Sequence, residues 1–192
     1  TFVGSLAGDA TTTASKNVGM GTNALSTNIL GSNSTAVGTA ALFTQNPATA
    51  TDMHNTAVGF EAGKLISTAT QNTLIGGLAG DAYDVGHTNV AVGYLALSAD
   101  TKGALSVAVG AGALQTQNFT TATNSYNVGV GNNAGAALAT GTRNTFVGGL
   151  AGDATDDGLD NTAMGYGSLS ANCGSYNTSI GIHTLSVCTG AS

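Results

Sequence analysis

The stretch NTAVGFEAG, Asn55 to Gly63, decides how this chain folds. Its first five residues return as NVAVG at Asn89 to Gly93, NTFVG at Asn144 to Gly148 and NTAMG at Asn161 to Gly165. Eleven copies of one phrase run through the sequence: a polar residue, Thr or Val, a small residue, an apolar residue, then glycine. The closing glycines are Gly4, Gly21, Gly38, Gly59, Gly76, Gly93, Gly110, Gly131, Gly148, Gly165 and Gly181. They stand 17 residues apart, except for two gaps of 21 and a last gap of 16. Such a period marks a solenoid, in which each repeat bonds only to its neighbours.

Aligned on the glycine, the columns assign roles. At minus one stand Val3, Met20, Val37, Val58, Ile75 and their counterparts, always apolar, and at minus three only Thr or Val. These two positions share one face of a strand and favour β-branched residues. Between them lies Ala or Gly in most copies, with Phe2, Leu74 and Phe146 as exceptions. At plus three, Ala fills nine of eleven copies, so that position is small and packed. Gly, Thr and Asn recur in every window and leave no 3.6-residue stripe, which argues against helix. The expected fold is all-β: a parallel β-solenoid, or β-roll, of eleven coils, with residues 1–192 forming one repeat domain.

A longer cycle is superimposed. TFVGSLAGDA at Thr1 returns as TLIGGLAGDA at Thr73 and TFVGGLAGDA at Thr145, a spacing of 72 residues, or four coils. The two 21-residue coils match each other as well, Thr44, Gln45 and Asn46 against Thr116, Gln117 and Asn118. Their extra residues are thus inherited features. In a rod they form two collars.

Asn17, Asn55, Asn72, Asn89, Asn127, Asn144, Asn161 and Asn177 occupy the head of the phrase, with Ser34 and Ser106 interrupting. Strands stacked about 4.8 Å apart bring such amides into a hydrogen-bonded structural ladder. With only the minus-one, minus-three and Leu columns counted as dependable apolar positions, one chain's core looks thin. Packing several chains about one axis would supply the missing contact, most simply as a parallel homotrimer.

Composition excludes other classes. The chain is 42% hydrophobic and 7% charged, unlike a disordered segment. Its four basic residues, Lys16, Lys64, Lys102 and Arg143, are scattered and outnumbered by ten acids, so nucleic acid is not an expected partner. No run of about 18 apolar residues exists, so no membrane insertion is expected. The chain lacks an initiating Met and opens within a recurring motif, and is read as a mature product or a piece of a longer protein.

The phrases NTAVGFEAG, NVAVGYLAL (Asn89 to Leu97) and NTAMGYGSL (Asn161 to Leu169) resemble the head repeats of YadA-like trimeric autotransporter adhesins, and similar phrases of phage tail-fibre proteins. The resemblance runs through all eleven units, although the 17- and 21-residue coils are longer than that family's usual ones. It implies a left-handed β-roll, three chains packed into one rod, and attachment to a host surface, matrix or glycan, on a cell surface or virion.

Candidate chemistry is sparse. Asp81 and Asp84, and Asp153, Asp156 and Asp157 one cycle later, place carboxylates in equivalent loops, a set that could hold calcium; no other cofactor is expected. None has an ordered calcium-loop spacing, and a solvated acidic turn is the plainer account. His54, His87 and His183 sit at different offsets and form no column. No nucleophile elbow or phosphate loop accompanies the many Gly-x-Gly pieces, so an enzyme is not expected. Cys173 and Cys188 lie in nearly the same column of adjacent coils, compatible with a disulfide, with two free thiols or with a link between chains. The collars carry Phe43, Met53 and His54 in one case and Phe119 and Tyr126 in the other, the expected binding residues for a glycan or protein receptor. Phe60, Tyr94 and Tyr166, directly after their glycines, are read as packing residues.

The leading expectation is therefore a non-enzymatic extracellular or virion fibre or adhesin module. Two alternatives stand beside it: an ice-binding solenoid, suggested by Thr-Ala-Thr at 49–51, 68–70 and 121–123, and an end-to-end structural filament. Those triplets share no column in consecutive coils, which counts against ice.

Overall fold

A computed structural model describes residues 1–188. Eleven strands form one parallel, in-register sheet: Phe2–Val3, Val18–Met20, Thr35–Val37, Thr56–Val58, Thr73–Ile75, Val90–Val92, Val107–Val109, Val128–Val130, Thr145–Val147, Thr162–Met164 and Thr178–Ile180. Spatial order follows chain order, so each coil contributes one strand and sits on the last: a parallel β-solenoid of eleven coils, with no helix among the described residues.

The glycine that ends each phrase is demanded by the stacking. Its backbone is left-handed, φ between 123° and 140°, and from Gly4 to Gly165 a Cβ would lie within 2.7 Å of the next glycine's backbone. No flexible side chain stands there to yield, so any other residue would push the coils apart.

The strand faces the opposite way from the sequence-based expectation. The minus-two residue points inward: Ala36, Ala57, Leu74, Ala91, Ala108, Phe146 and Ala163 are fully buried. The minus-one and minus-three columns share a face, as expected, but it is the outer one, where Val3, Met20, Val58, Ile75, Met164 and Ile180 are exposed. Alternation along a strand yields two faces and does not say which is inside.

Volume complementarity decides it. Leu25, Leu42, Leu97, Leu114 and Leu169, at plus four, are buried in coils whose minus-two residue is small: Gly19, Ala36, Ala91, Ala108 and Ala163. Where minus two is large the relation inverts. Leu74 fills the space that side chains at Gly63 and Gly80 would take, and Phe146 does so at Gly135 and Gly152. The plus-four leucines have left-handed backbones, φ 49–55°. That conformation costs roughly 1–2 kcal/mol, and burying a leucine returns about 1.5–3 kcal/mol, so the corner is tolerated because the side chain fills the core. With the plus-three alanines, Ala24 through Ala151, these columns form one continuous core, and the single chain closes on itself.

The Asn ladder runs beside that core. Each amide oxygen accepts the backbone N–H of the next ladder residue, as from Asn72 to Asn55 (3.0 Å), Asn89 to Asn72 (2.9 Å) and Asn161 to Asn144 (3.0 Å). From Asn17 to Asn161 each amide nitrogen donates to a carbonyl of the following coil, Gly86, Gly103 and Gly158 among them, at 2.7–2.9 Å. The ladder therefore satisfies buried backbone groups and fixes the register.

Candidate functional site

The outer face of the eleven-stranded sheet presents a continuous row of exposed and half-buried apolar side chains. Its minus-one column is Val, Ile or Met throughout and its minus-three column Thr or Val, half-buried or exposed, and neither carries a charged residue. Eleven strands at about 4.8 Å make a strip roughly 50 Å long. Along one edge the face is extended by Phe60, Tyr94 and Tyr166, which are 55%, 57% and 51% exposed. They are not core packing residues, contrary to the reading of their columns. The sequence signal was present: apart from Ile182, the other members of their column are small or polar, Ser5, Thr22, Thr39 and Asn132 among them.

The collars divide the expected binding residues. His54 and Tyr126 occupy equivalent left-handed positions, φ 53° and 52°, and both side chains are exposed. Phe43 is half-buried. Met53 and Phe119 turn inward, at 0% and 6% exposure. The extra residues let each collar add a two-stranded parallel sheet, Gly31–Ser32 with Thr51–Asp52 and Gly103–Ala104 with Thr123–Asn124, which draws these side chains under the loop. Of the binding set, one histidine, one tyrosine and the edge of Phe43 remain outside.

Beneath each collar lies a buried polar plug that the column reading missed. Ser34 and Ser106 break the Asn ladder, and Gln45 and Gln117 fill the space. Gln45 Oε1 accepts from Asn55 Nδ2 at 3.0 Å, and Gln117 Oε1 from Asn127 Nδ2 at 2.8 Å. In the second collar the plug includes Asp100, fully buried, whose carboxylate accepts from Gln117 Nε2 (2.6 Å) and from the backbone N–H of Gly103 (2.8 Å), Lys102 (3.3 Å) and Phe119 (3.5 Å). Burial pushes the Asp100 carboxyl above the ordinary aspartate range, and these donors oppose the shift only in part. The Lys102 ammonium turns outward to the Thr120 carbonyl, 3.2 Å away. Tyr83, one coil below, is wholly buried, and burial and then the Asp100 charge push its phenol well up.

The acidic loops do not gather ligands. Among the described residues no three His, Cys, Asp or Glu side chains converge on a point where a metal ion would sit. Asp84 is engaged structurally: its carboxylate accepts the Ser67 hydroxyl, and its carbonyl takes the N–H of Ser67 and Thr68. The Asp156 carbonyl takes those of Ala139 and Thr140. Asp81 and Asp153, one cycle apart, each keep one buried oxygen without a partner, and burial raises both carboxyls. Asp157 is exposed. His54 and His87 lie on the surface and His183 packs edge-to-face on Tyr166, centroids 5.3 Å apart. On the edge opposite Phe60, Tyr94 and Tyr166, Arg143 binds Asp160 through two bonds of 2.7 Å, which hold that carboxyl below its ordinary range.

Cys173 and Cys188 form a disulfide, Cα atoms 5.5 Å apart, that ties the loop of the tenth coil to the end of the eleventh. The chain matches no known protein-family model, no curated protein and no solved structure.

Proposed function

We propose that the chain is a non-enzymatic fibre or adhesin module, a rigid rod assembled as a parallel homotrimer. It would be wound left-handed, as the resemblance implies, and would display its collars to a glycan or protein on a host surface. The observation that carries this reading is the uncharged apolar outer face of the sheet. A thin core was the sequence-based reason for a trimer, and the closed core removes it; the exposed face takes its place. A strip of this length and about 12 Å wide offers on the order of 600 Å² for each chain, near the roughly 800 Å² per partner of stable interfaces. An apolar strip of that size stands at the upper end of what single chains expose, where such patches are often functional. The disulfide supports an oxidising, extracellular setting. The low charge and the Thr-rich collar tips suit a neutral, polar target.

Light scattering tests the assembly: a particle of three 18.6 kDa chains is expected, and a stable folded monomer would overturn the trimer. Glycan-array binding lost on replacing His54 and Tyr126 together would support the collars as the contact, and undiminished binding would exclude them.

One observation favours a second reading. The Thr-Ala-Thr triplets form no array, but a different set does: Thr35, Thr56, Thr73, Thr145, Thr162 and Thr178 stand outward in one column beside Val, Ile or Met. A flat grid of hydroxyls and methyls repeating at about 4.8 Å is a surface on which water can order, so ice binding remains the alternative. Val18, Val90, Val107 and Val128 interrupt the hydroxyl column. Absence of thermal hysteresis and of ice-crystal shaping would dispose of it.

A further inference from the structure

We propose that the rods meet along the edge bearing Phe60, Tyr94 and Tyr166, and that this edge, not the opposite one, lies on the rotation axis of the assembly. The inference rests on the reading of the outer face as the contact between copies of this chain. In a cyclic assembly of parallel rods, whatever lies on the axis meets its own copies at the same height. Like charges placed there repel, so the axial edge is the one without them.

The two edges of the sheet differ in this respect. The opposite edge is the column just before the Asn ladder; it also bears the exposed Tyr126 and Tyr176, but it differs in carrying the charged or titratable Lys16, His54, Arg143 and Asp160. On an axis, Lys16 would face Lys16, and the exposed Arg143–Asp160 pairs would crowd their own copies. The edge after the glycines reads Ser5, Thr22, Thr39, Phe60, Gly77, Tyr94, Ala111, Asn132, Gly149, Tyr166 and Ile182, without a charge. In the adjoining column the carboxylate is Glu61, held by Lys64 of the same chain at 2.9 Å.

The aromatic rings on this edge are positioned, not trailing. A Cβ at Gly77 would lie 3.5 Å from Cδ2 of Tyr94, and one at Gly149 would lie 3.4 Å from Cδ2 of Tyr166. Each tyrosine thus leans back over the preceding coil, where glycine leaves a shallow seat, and the arrangement repeats after 72 residues. Tyr166 is further braced by His183. Rings fixed this way lose little entropy on association, which is why aromatics anchor interfaces. The Thr/Val and Val/Ile/Met columns are almost identical from coil to coil, so they attract a partner but do not fix its height. Aromatic layers at the fourth, sixth and tenth coils do.

The test uses single cysteines in one coil on opposite edges, Tyr94→Cys and Thr88→Cys, in the otherwise native chain with its disulfide intact. Mild oxidation of the assembled Tyr94→Cys protein should give covalent dimers from up to about two-thirds of the chains, since one thiol of three is left over. Thr88→Cys should stay unlinked, like the unsubstituted protein. Tyr166→Cys, in an equivalent seat four coils away, provides a second reading if Tyr94→Cys loses its dichroism. Linking at Thr88 and not at Tyr94 or Tyr166 would overturn the axial placement while leaving the oligomer standing. A monomeric mass for the unsubstituted chain would instead remove the assembly on which the placement depends.

Discussion

The two collars share a backbone and differ in what they bury. Both replace a ladder Asn with Ser, both use Gln to hold the next Asn, and both close their tips alike, Thr51 Oγ1 donating to the Thr49 carbonyl at 2.9 Å and Thr123 Oγ1 to that of Thr121 at 3.0 Å. At the first collar the plug is Asn28 and Met53; at the second, 72 residues on, the same places hold Asp100 and Ser125. Asn28 must spend its amide nitrogen on the Gly31 carbonyl (2.7 Å), and Gln45 Nε2 is left buried without an acceptor. Asp100 only accepts, so Gln117 Nε2 finds it, and Ser125 bonds the Ala104 carbonyl (2.8 Å) where Met53 merely fills space. One frame thus tolerates either an apolar plug with an unmet donor or a charged plug with its donors met. The first leaves a hydrogen bond unmade, and the second takes a carboxylate out of water.

That contrast is breakable. The largest effect is expected from Gln117→Ala, which strips a charged acceptor of its closest donor and empties space. It should lower stability in urea denaturation by about 3–4 kcal/mol, against about 2 kcal/mol for Gln45→Ala. Equal losses would show that the buried carboxylate adds nothing to the second collar. Next, Met53→Ser, which writes the second collar's residue into the first, should cost about 2–3 kcal/mol through the cavity it leaves. A neutral outcome would mean that the first collar collapses around the smaller residue.

The third effect is a slope. Asp100 holds its proton more tightly folded than unfolded, so its stabilising share is complete below the ordinary value of 3.8 and is lost as pH rises through the raised folded value. Asp81 and Asp153 act in the same sense. Asp160 acts oppositely, but below 3.8. Acidification from neutral pH towards 4 should therefore raise the melting temperature. Asp100→Asn should flatten that rise and Asn28→Asp should steepen it; an unchanged slope in both would contradict the account. Smallest of all, His54→Ala and Tyr126→Ala should each change stability by less than about 0.5 kcal/mol, and a larger loss by calorimetry would make these side chains braces of the collar.

The coil count, the strand in every coil, the Asn ladder and the two collars were all legible from the spacing of glycines and asparagines. The inside of the strand was not. Thr56 and Val58 are better β-formers than Ala57, and that preference pointed to the wrong face because it measures fit to a pleated surface, not depth. The answer was written across coils, in the exchange of bulk between Leu74 and its flanking Gly63 and Gly80, or between Leu42 and Ala36. Met53 and Phe119 were misread because a loop insertion normally means exposure, whereas here it brings a second small sheet that tucks them away. Asp100 carried no local signal: its role depends on Gln117, one coil above.

The strands of the main sheet all run the same way, and their hydrogen bonds lie along the rod. Tension on the two ends of the chain therefore opens those bonds one coil at a time and not as a single block. Each 17-residue coil that peels away frees roughly 50 Å of slack, absorbing work before the next coil is loaded. The 15-residue loop closed by Cys173 and Cys188 is withheld from this pay-out while its bond lasts. Under load the described rod would yield coil by coil, mostly in steps of 17 residues, starting away from the disulfide.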